Sequence, residues 1–160
     1  MGEKIGLRLV RPFDEPFLFS LFRAVRAPRF DFVPPGHPQM ASSIHLQFKA
    51  REQALAGKYP GSDDRLIVVE GTPAGRFRVA RDETSLQVAD LTILPDRQRN
   101  GIGTGVMKDL IAAAQQAGLP IRAVVAQPDL ASFRFFRGLG FEVAGQNVSY
   151  VYLERRPSAV

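Results

Sequence analysis

The run Gln98-Arg99-Asn100-Gly101-Ile102-Gly103-Thr104-Gly105 puts three glycines into five residues, between a β-rich stretch, Leu86 to Leu94, and an amphipathic one, Ile102 to Ala117. In the second stretch Val106, Leu110, Ile111 and Ala114 recur at helical spacing, and Gly118 follows as a stop. A glycine-rich turn at a helix start presents unpaired N–H groups and the positive end of the helix dipole. Missing Cβ atoms let phosphate oxygens approach closely, so the turn reads as a pyrophosphate seat. Spacing separates the families that build one. A dinucleotide fingerprint requires glycine where Val106 stands. A mononucleotide P-loop counted from Gly101 requires glycine at Val106 and Lys-Ser/Thr at Met107-Lys108. What remains is Gln/Arg-x-x-Gly-x-Gly/Ala, met by Gln98, Gly101 and Gly103.

On the N-terminal side, Gly6 to Arg11 reads as a strand, and Asp14 stands as an N-cap before Phe17, Leu18, Leu21, Phe22 and Val25 at helical spacing. Ala27 to Pro38, with four prolines, is an irregular loop. Ser42 to Ala56 reads as a second helix, with Ile44, Phe48 and Leu55 inward and Gly57 as its stop. Arg65 to Glu70 and Gly75 to Arg81 are strands joined by a hairpin turn at Gly71-Thr72-Pro73-Ala74, and Leu86 to Leu94 completes an antiparallel meander. Beyond the long helix, Ile121 to Ala126 is a strand, parallel to Leu86–Leu94 in a βαβ unit. Asp129 caps a short helix to Leu139, and Phe141 to Val143 and Val148 to Glu154 are closing strands. The expected fold is α/β of mixed type: a mostly antiparallel sheet, a central parallel βαβ crossover and about four helices, in one domain over 1–160.

Composition narrows the chemistry. There are no cysteines, which excludes disulfides, thiolate metal sites and a cysteine nucleophile. His37 and His45 are the only histidines and fall short of a zinc set, so no metal is expected. No signal-peptide core, myristoylation site or membrane span is present in the sequence, and a cytoplasmic protein is expected. The formal charge is +5, from 17 Arg and 4 Lys against 16 acidic residues, which suits an anionic ligand. The arginines are scattered, without a dense basic run or aromatic platform, which argues against nucleic acid as the partner.

Leu91-Thr92-Ile93-Leu94-Pro95-Asp96-Arg97 leads into the glycine turn, and Ser132-Phe133-Arg134-Phe135-Phe136-Arg137-Gly138-Leu139-Gly140-Phe141 lies farther on. In this register, and in its element order, nearly the whole chain resembles the GNAT superfamily of acyl-CoA-dependent N-acetyltransferases. The resemblance implies acetyl transfer from acetyl-CoA to a primary amine, by direct attack in a ternary complex. The acceptor would be a small molecule or a peptide, with a homodimer as one candidate assembly. It further implies that the backbone of Ile93 and Leu94 pairs with the pantetheine arm, and that Gln98, Arg99, Asn100, Gly101, Ile102, Gly103 and Thr104 surround the pyrophosphate. Asp129, Ser132 and Phe136 are the matching positions on the second motif.

Acyl transfer to an amine needs a base, an oxyanion donor and a route for the thiolate to leave. The resemblance points to the Leu94 N–H as the donor and to Asp90 as the base acting through water. Two positions depart from the family pattern. Phe136 stands where many relatives carry a tyrosine beside the sulfur, and Asp129 stands where they carry asparagine. Ser132, Tyr150 or water is then the substitute acid, and Asp129 also reads as a plain N-cap. Phe30, Phe32 and Phe48 are candidates to line an acceptor pocket. The alternative function is a catalytically weak acyl-CoA-binding module. A basic nucleic-acid-binding domain is a third reading, carried by the pI alone.

Overall fold

The structure, a computed structural model, describes residues 4–26 and 38–159. In chain order these residues form β1 (Ile5–Leu9), a 3-10 turn (Pro12–Asp14), α1 (Glu15–Arg26), α2 (Pro38–Lys58), β2 (Asp63–Val69), β3 (Thr72–Arg81) and β4 (Leu86–Ile93). A second 3-10 turn (Pro95–Arg97) leads to α3 (Ile102–Ala117), β5 (Ile121–Ala126), α4 (Leu130–Gly138), β6 (Glu142–Gln146) and β7 (Tyr150–Arg155). The strands make one seven-stranded sheet in the order β1-β2-β3-β4-β5-β7-β6. Every neighbouring pair is antiparallel except β4 with β5, as the βαβ crossover through α3 requires. The expected mixed sheet and helix count are therefore present.

Register sorts the side chains onto two faces. On one face Ile67, Phe77, Val88, Ala123 and Leu153 pack against Val106 and Met107 of α3 and Phe136 of α4. On the other, Leu66 and Val68 meet Leu18 and Phe22 of α1 and Ile44 and Phe48 of α2. Phe48 packs tilted or edge-on against Phe19 and Phe22, at ring distances of 5.4 and 5.7 Å.

The sheet is split at its centre. β4 and β5 are paired only through Leu86↔Ile121, Gln87↔Arg122 and Val88↔Ala123. Beyond Val88, β4 follows β3 and β5 follows β7, so a wedge opens between them. The register of β3 and β4 shifts at the same place, between Arg78↔Asp90 and Val79↔Val88, which leaves Ala89 as the extra residue of a bulge that bends the strand. Near the open end, Gly75 lies opposite Ile93, and a Cβ there would stand 2.4 Å from the Thr92 carbonyl oxygen. Only glycine admits that approach.

Several expected boundaries move. The β2–β3 turn is Glu70-Gly71, both at positive φ (50° and 81°), and Thr72 to Ala74 belong to β3 rather than to the turn. Two residues at positive φ suit the twist of a tight hairpin. Asp14 is not a simple cap of α1. It ends the 3-10 turn, accepts the Arg11 N–H at 2.7 Å and takes a bidentate pair from Arg8 at 2.7 and 2.9 Å. These bonds, led by the one to Arg8, hold its pKa below the usual carboxylate value against the opposing effect of burial. α2 runs to Lys58, past Gly57. The closing strands begin later and extend further than expected, because the Ser149 and Tyr150 N–H groups turn onto the Asn147 side chain before β7 starts.

Gly75→Ala should destabilise the fold by roughly 1–3 kcal/mol, read as a lower urea midpoint at an unchanged m-value. A group with a depressed folded pKa stabilises above its unfolded pKa and loses that contribution as pH falls through the folded value. Asp14 therefore adds to the acid sensitivity of unfolding below about pH 4. Asp14→Asn should lower stability at pH 7 and flatten the dependence below about pH 4, measured by denaturant titration at several pH values.

Candidate active site

On the α3/α4 face the wedge opens into a cleft of about 490 Å³. Its floor is the Leu91 and Ile93 side of β4, one wall is the Gln98–Thr104 turn, and the other is α4 with Ser132, Arg134, Phe135 and Phe136. α3 begins at Gly101, which is left-handed (φ 78°) and gives no side-chain cap. The first helical bond is Gly105 N–H to Gly101 O, so the N–H groups of Ile102, Gly103 and Thr104 have no partner within the helix. Arg99 is also left-handed, at φ 67°, a strained state for a residue with a Cβ and one that clusters at binding loops. Gly103 has a second reason to be glycine, since a Cβ would meet Phe135 Cζ at 3.2 Å and Ile93 Cδ1 at 3.3 Å.

The hydrogen bonding of β4 corrects one expectation. The Leu94 N–H donates to the Ala74 carbonyl at 2.9 Å and is spent on the β3 side. Backbone groups alternate along a strand, so those of Asp90 and Thr92 also point to β3, and those of Leu91 and Ile93 point into the wedge. The Ile93 carbonyl confirms the alternation: it accepts Gln98 Nε2 at 3.0 Å. Gln98 thus ties the glycine turn back to the strand. Leu94, Asn100 and Asp129 are not among the residues that line the cleft, whereas the other expected cofactor contacts are.

Asp129 is the N-cap of α4: it accepts the Ser132 N–H at 3.1 Å and the Ser132 hydroxyl at 2.7 Å. Phe136 is 7% exposed and stacks edge-on with Phe135 (5.2 Å) and Phe141 (5.1 Å) while also reaching the cleft wall. It is both a core ring and a cleft ring.

Asp90 lies across the sheet, beneath α1 and α2. It accepts Thr92 Oγ1 at 2.6 Å on one oxygen and Arg51 Nη1 at 3.0 Å on the other. Beside it is a cavity of about 80 Å³ with walls of Leu18, Leu21, Phe22, Val25 and Phe48. Arg26, Arg51, Glu52, Arg76 and Thr92, which the sequence did not single out as site residues, complete it with Asp90. Arg76 is buried between Glu52 (2.8 and 2.9 Å) and Asp64 (2.7 and 2.9 Å). Burial pulls the pKa of this guanidinium down, but the bonds to Asp64 and Glu52 outweigh that and raise it. No linear signal marks the Arg51–Asp90 pair, because its members are 39 positions apart.

Of the other candidates, Phe48 lines this cavity and His45 stacks edge-on against Phe19 at 5.3 Å. Phe30, Phe32 and His37 lie outside the described residues. Tyr150 and Tyr152 pair with Ala126 and Val124 on the far arm of the wedge, on the same face as Asp90. Among the described residues no cluster of three His, Asp or Glu groups could hold a metal ion, and no helix is long and apolar enough to cross a membrane.

Comparison with known proteins agrees with this geometry. The chain matches the acetyltransferase (GNAT) family over residues 32–141. No curated protein matches it. Among solved structures it is similar to the PaiA N-acetyltransferase of Thermoplasma acidophilum in complex with coenzyme A, at 14% identity and a TM-score of 0.72, covering 96% of this chain and 99% of that one. An acetyltransferase of Thermus thermophilus is 19% identical with a TM-score of 0.68, over 96% and 97% of the two chains. The ribosomal-protein-S18-alanine N-acetyltransferase of Escherichia coli is 14% identical with a TM-score of 0.66, over 98% and 96%. Identities this low speak for the fold alone. The family match spans more than half of the 160 residues, and the chain belongs to the GNAT family of acetyltransferases.

Proposed function

We propose that this chain, acting as one domain, transfers an acetyl group from acetyl-CoA to a primary amine by direct attack while both are bound. The observation that carries this is the wedge between β4 and β5, beside which β4 carries the α3/α4 cleft on one face and the Asp90 cavity on the other. The cleft residues fit the donor. The uncapped start of α3 suits a pyrophosphate, and the unpaired edge of Leu91 and Ile93 suits the amides of a pantetheine arm. CoA stands in the crystal structure of the Thermoplasma relative, which supports this use of the cleft.

When bound, the thioester supplies an activated acyl carbon. The amine nitrogen bonds to that carbon as its bond to sulfur breaks. The amine gives up its surplus proton, and the sulfur takes one to leave as the CoA thiol. In place of Leu94, the Ile93 N–H faces the wedge and serves the developing oxyanion. Asp90 is the candidate base, reached through water. It sits in a rigid setting, held by Arg51 and Thr92.

A second reading, a catalytically weak acyl-CoA-binding module, is favoured by one observation. The ring at Phe136 has no proton to give, and the Ser132 hydroxyl donates to Asp129. Release of CoA thiol across a panel of amines separates the two readings.

Acetyl-CoA and CoA should bind with similar affinity, because the turn contacts only the shared phosphates. Gly103→Val should abolish both, since the added side chain drives Phe135 into the cleft and crowds the α3 N–H groups. Calorimetry with both ligands checks this, and unchanged CoA affinity in the variant would remove the phosphate seat. Phe136→Tyr should raise turnover several-fold with little change in CoA affinity, a fraction of the ~10²- to 10⁴-fold typical of a well-placed general acid. Lost stability with no gain in rate would mark the ring as packing only.

A further inference from the structure

We propose that the acceptor is a small aliphatic α-amino acid, held through its carboxylate by Arg51 and through its amine by Asp90. This presupposes the acetyltransferase function above and names the occupant of the cavity between α1, α2 and β4. Arg51 differs from the other two arginines of this cavity in how it is satisfied. Arg76 is engaged on both sides by Glu52 and Asp64, and Arg26 lies over the Phe22 ring at 5.2 Å. Arg51 gives only Nη1 to Asp90. Its remaining nitrogens have no hydrogen-bond partner among the described residues, and its side chain lines the cavity and is 34% exposed.

A purely apolar amine in this space would strip water from those N–H groups and return nothing, a costly exchange. A carboxylate meets a guanidinium edge in two parallel charge-assisted bonds. Asp90 is the neighbouring anion, 3.0 Å from Arg51 and itself 3% exposed. An α-amino acid carries its ammonium and carboxylate on one carbon, and so matches an acid and a guanidinium placed side by side. Asp90 stands on the α1/α2 face of β4, two residues beyond the last pairing with β5, so an amine held there has to reach the acyl carbon through the wedge.

Size sets the side chain. The cavity of about 80 Å³ is roughly half the ~150 Å³ that accommodates a benzene ring, and Leu18, Leu21, Phe22 and Val25 make its walls apolar. With the ammonium and carboxylate at the Arg51–Asp90 mouth, so small a space suits a short branched aliphatic side chain better than an aromatic one.

The test measures CoA thiol release with L-valine, L-valinamide, isobutylamine, L-phenylalanine and a peptide with an N-terminal valine. L-Valine should exceed isobutylamine and L-valinamide in kcat/KM on the order of 10²-fold, as expected when a charged hydrogen-bonding group is left without its match. L-Phenylalanine should be poor. Arg51→Gln should bring L-valine down to the level of isobutylamine, mainly through KM, and Arg51→Lys should recover part of the difference. Isobutylamine or the peptide matching L-valine in the unmodified protein would overturn the amino-acid acceptor and leave the acetyltransferase function standing. CoA binding in calorimetry, with no thiol release from any amine, would overturn both.

Discussion

β4 and β5 part company after Val88, and the site exists because they do. Two parallel strands that stayed paired would satisfy each other's backbone groups and seal the sheet. The bulge at Ala89 bends β4 away, and the Leu91 and Ile93 backbone edge is left without a strand beside it. Gln98 satisfies the Ile93 carbonyl, which draws the glycine turn over the end of the strand and places the start of α3 against the cleft. Gly75 supports the same arrangement from behind, since its missing Cβ lets β3 press against Thr92. The glycine turn's place at the cleft and the free strand edge are therefore consequences of one departure from regular pairing.

The opposite face is organised by charge. Arg76 lies in the sheet with Asp64 on the neighbouring strand and Glu52 on α2, so the pair to Glu52 pins that helix to β3. Burying such groups costs desolvation, and a well-packed apolar trio would give comparable stability. Removing Arg76 is a different matter, because it leaves the Glu52 and Asp64 carboxylates close together without their shared cation. The network makes the position of α2 specific, and Arg51, one residue from Glu52, inherits that position over Asp90. The Phe19–Phe48–Phe22 contacts do the same for α1, so both helices stand at fixed heights above the wedge.

What was legible in the sequence follows from how local the determining forces are. α3 and β5 coincide with the expected residues because periodicity, the left-handed stop at Gly118 and a short connection all act within one βαβ unit. The family resemblance rested on contiguous runs around Gly101 and Gly140, and the fold bears it out. Edges were less legible. Asp14 looked like a helix cap, but its partners include Arg8 on a strand, and the hairpin tightened to Glu70-Gly71 because register with β2 carried Thr72 into the ladder. Least legible was the α1/α2 face, whose contacts join Arg51 to Asp90, Glu52 to Arg76 and Asp64 to Arg76 across long stretches of chain. The Leu94 N–H failed for a related reason: which face of β4 a given amide serves depends on pairing with Ala74.

The departures on α4 bear on how sulfur leaves. A carboxylate can only accept hydrogen bonds, so at 2.7 Å from Asp129 the Ser132 hydroxyl must be the donor, and it turns a lone pair rather than a proton toward the cleft. Asp129 in the family's asparagine position thus fixes the α4 start and removes Ser132 as a direct acid in the same stroke. Tyr150 lies on the face of the sheet shared with Asp90, opposite the one that carries α4. On the proposed function, water is then the remaining one of the substitute acids considered for the sulfur. A thiol pKa near ~8.5 makes the thiolate a tolerable leaving group without strong assistance. On the proposed function the catalytic demand shifts accordingly from protonating sulfur to holding and deprotonating the amine, the role proposed above for Asp90 beside Arg51.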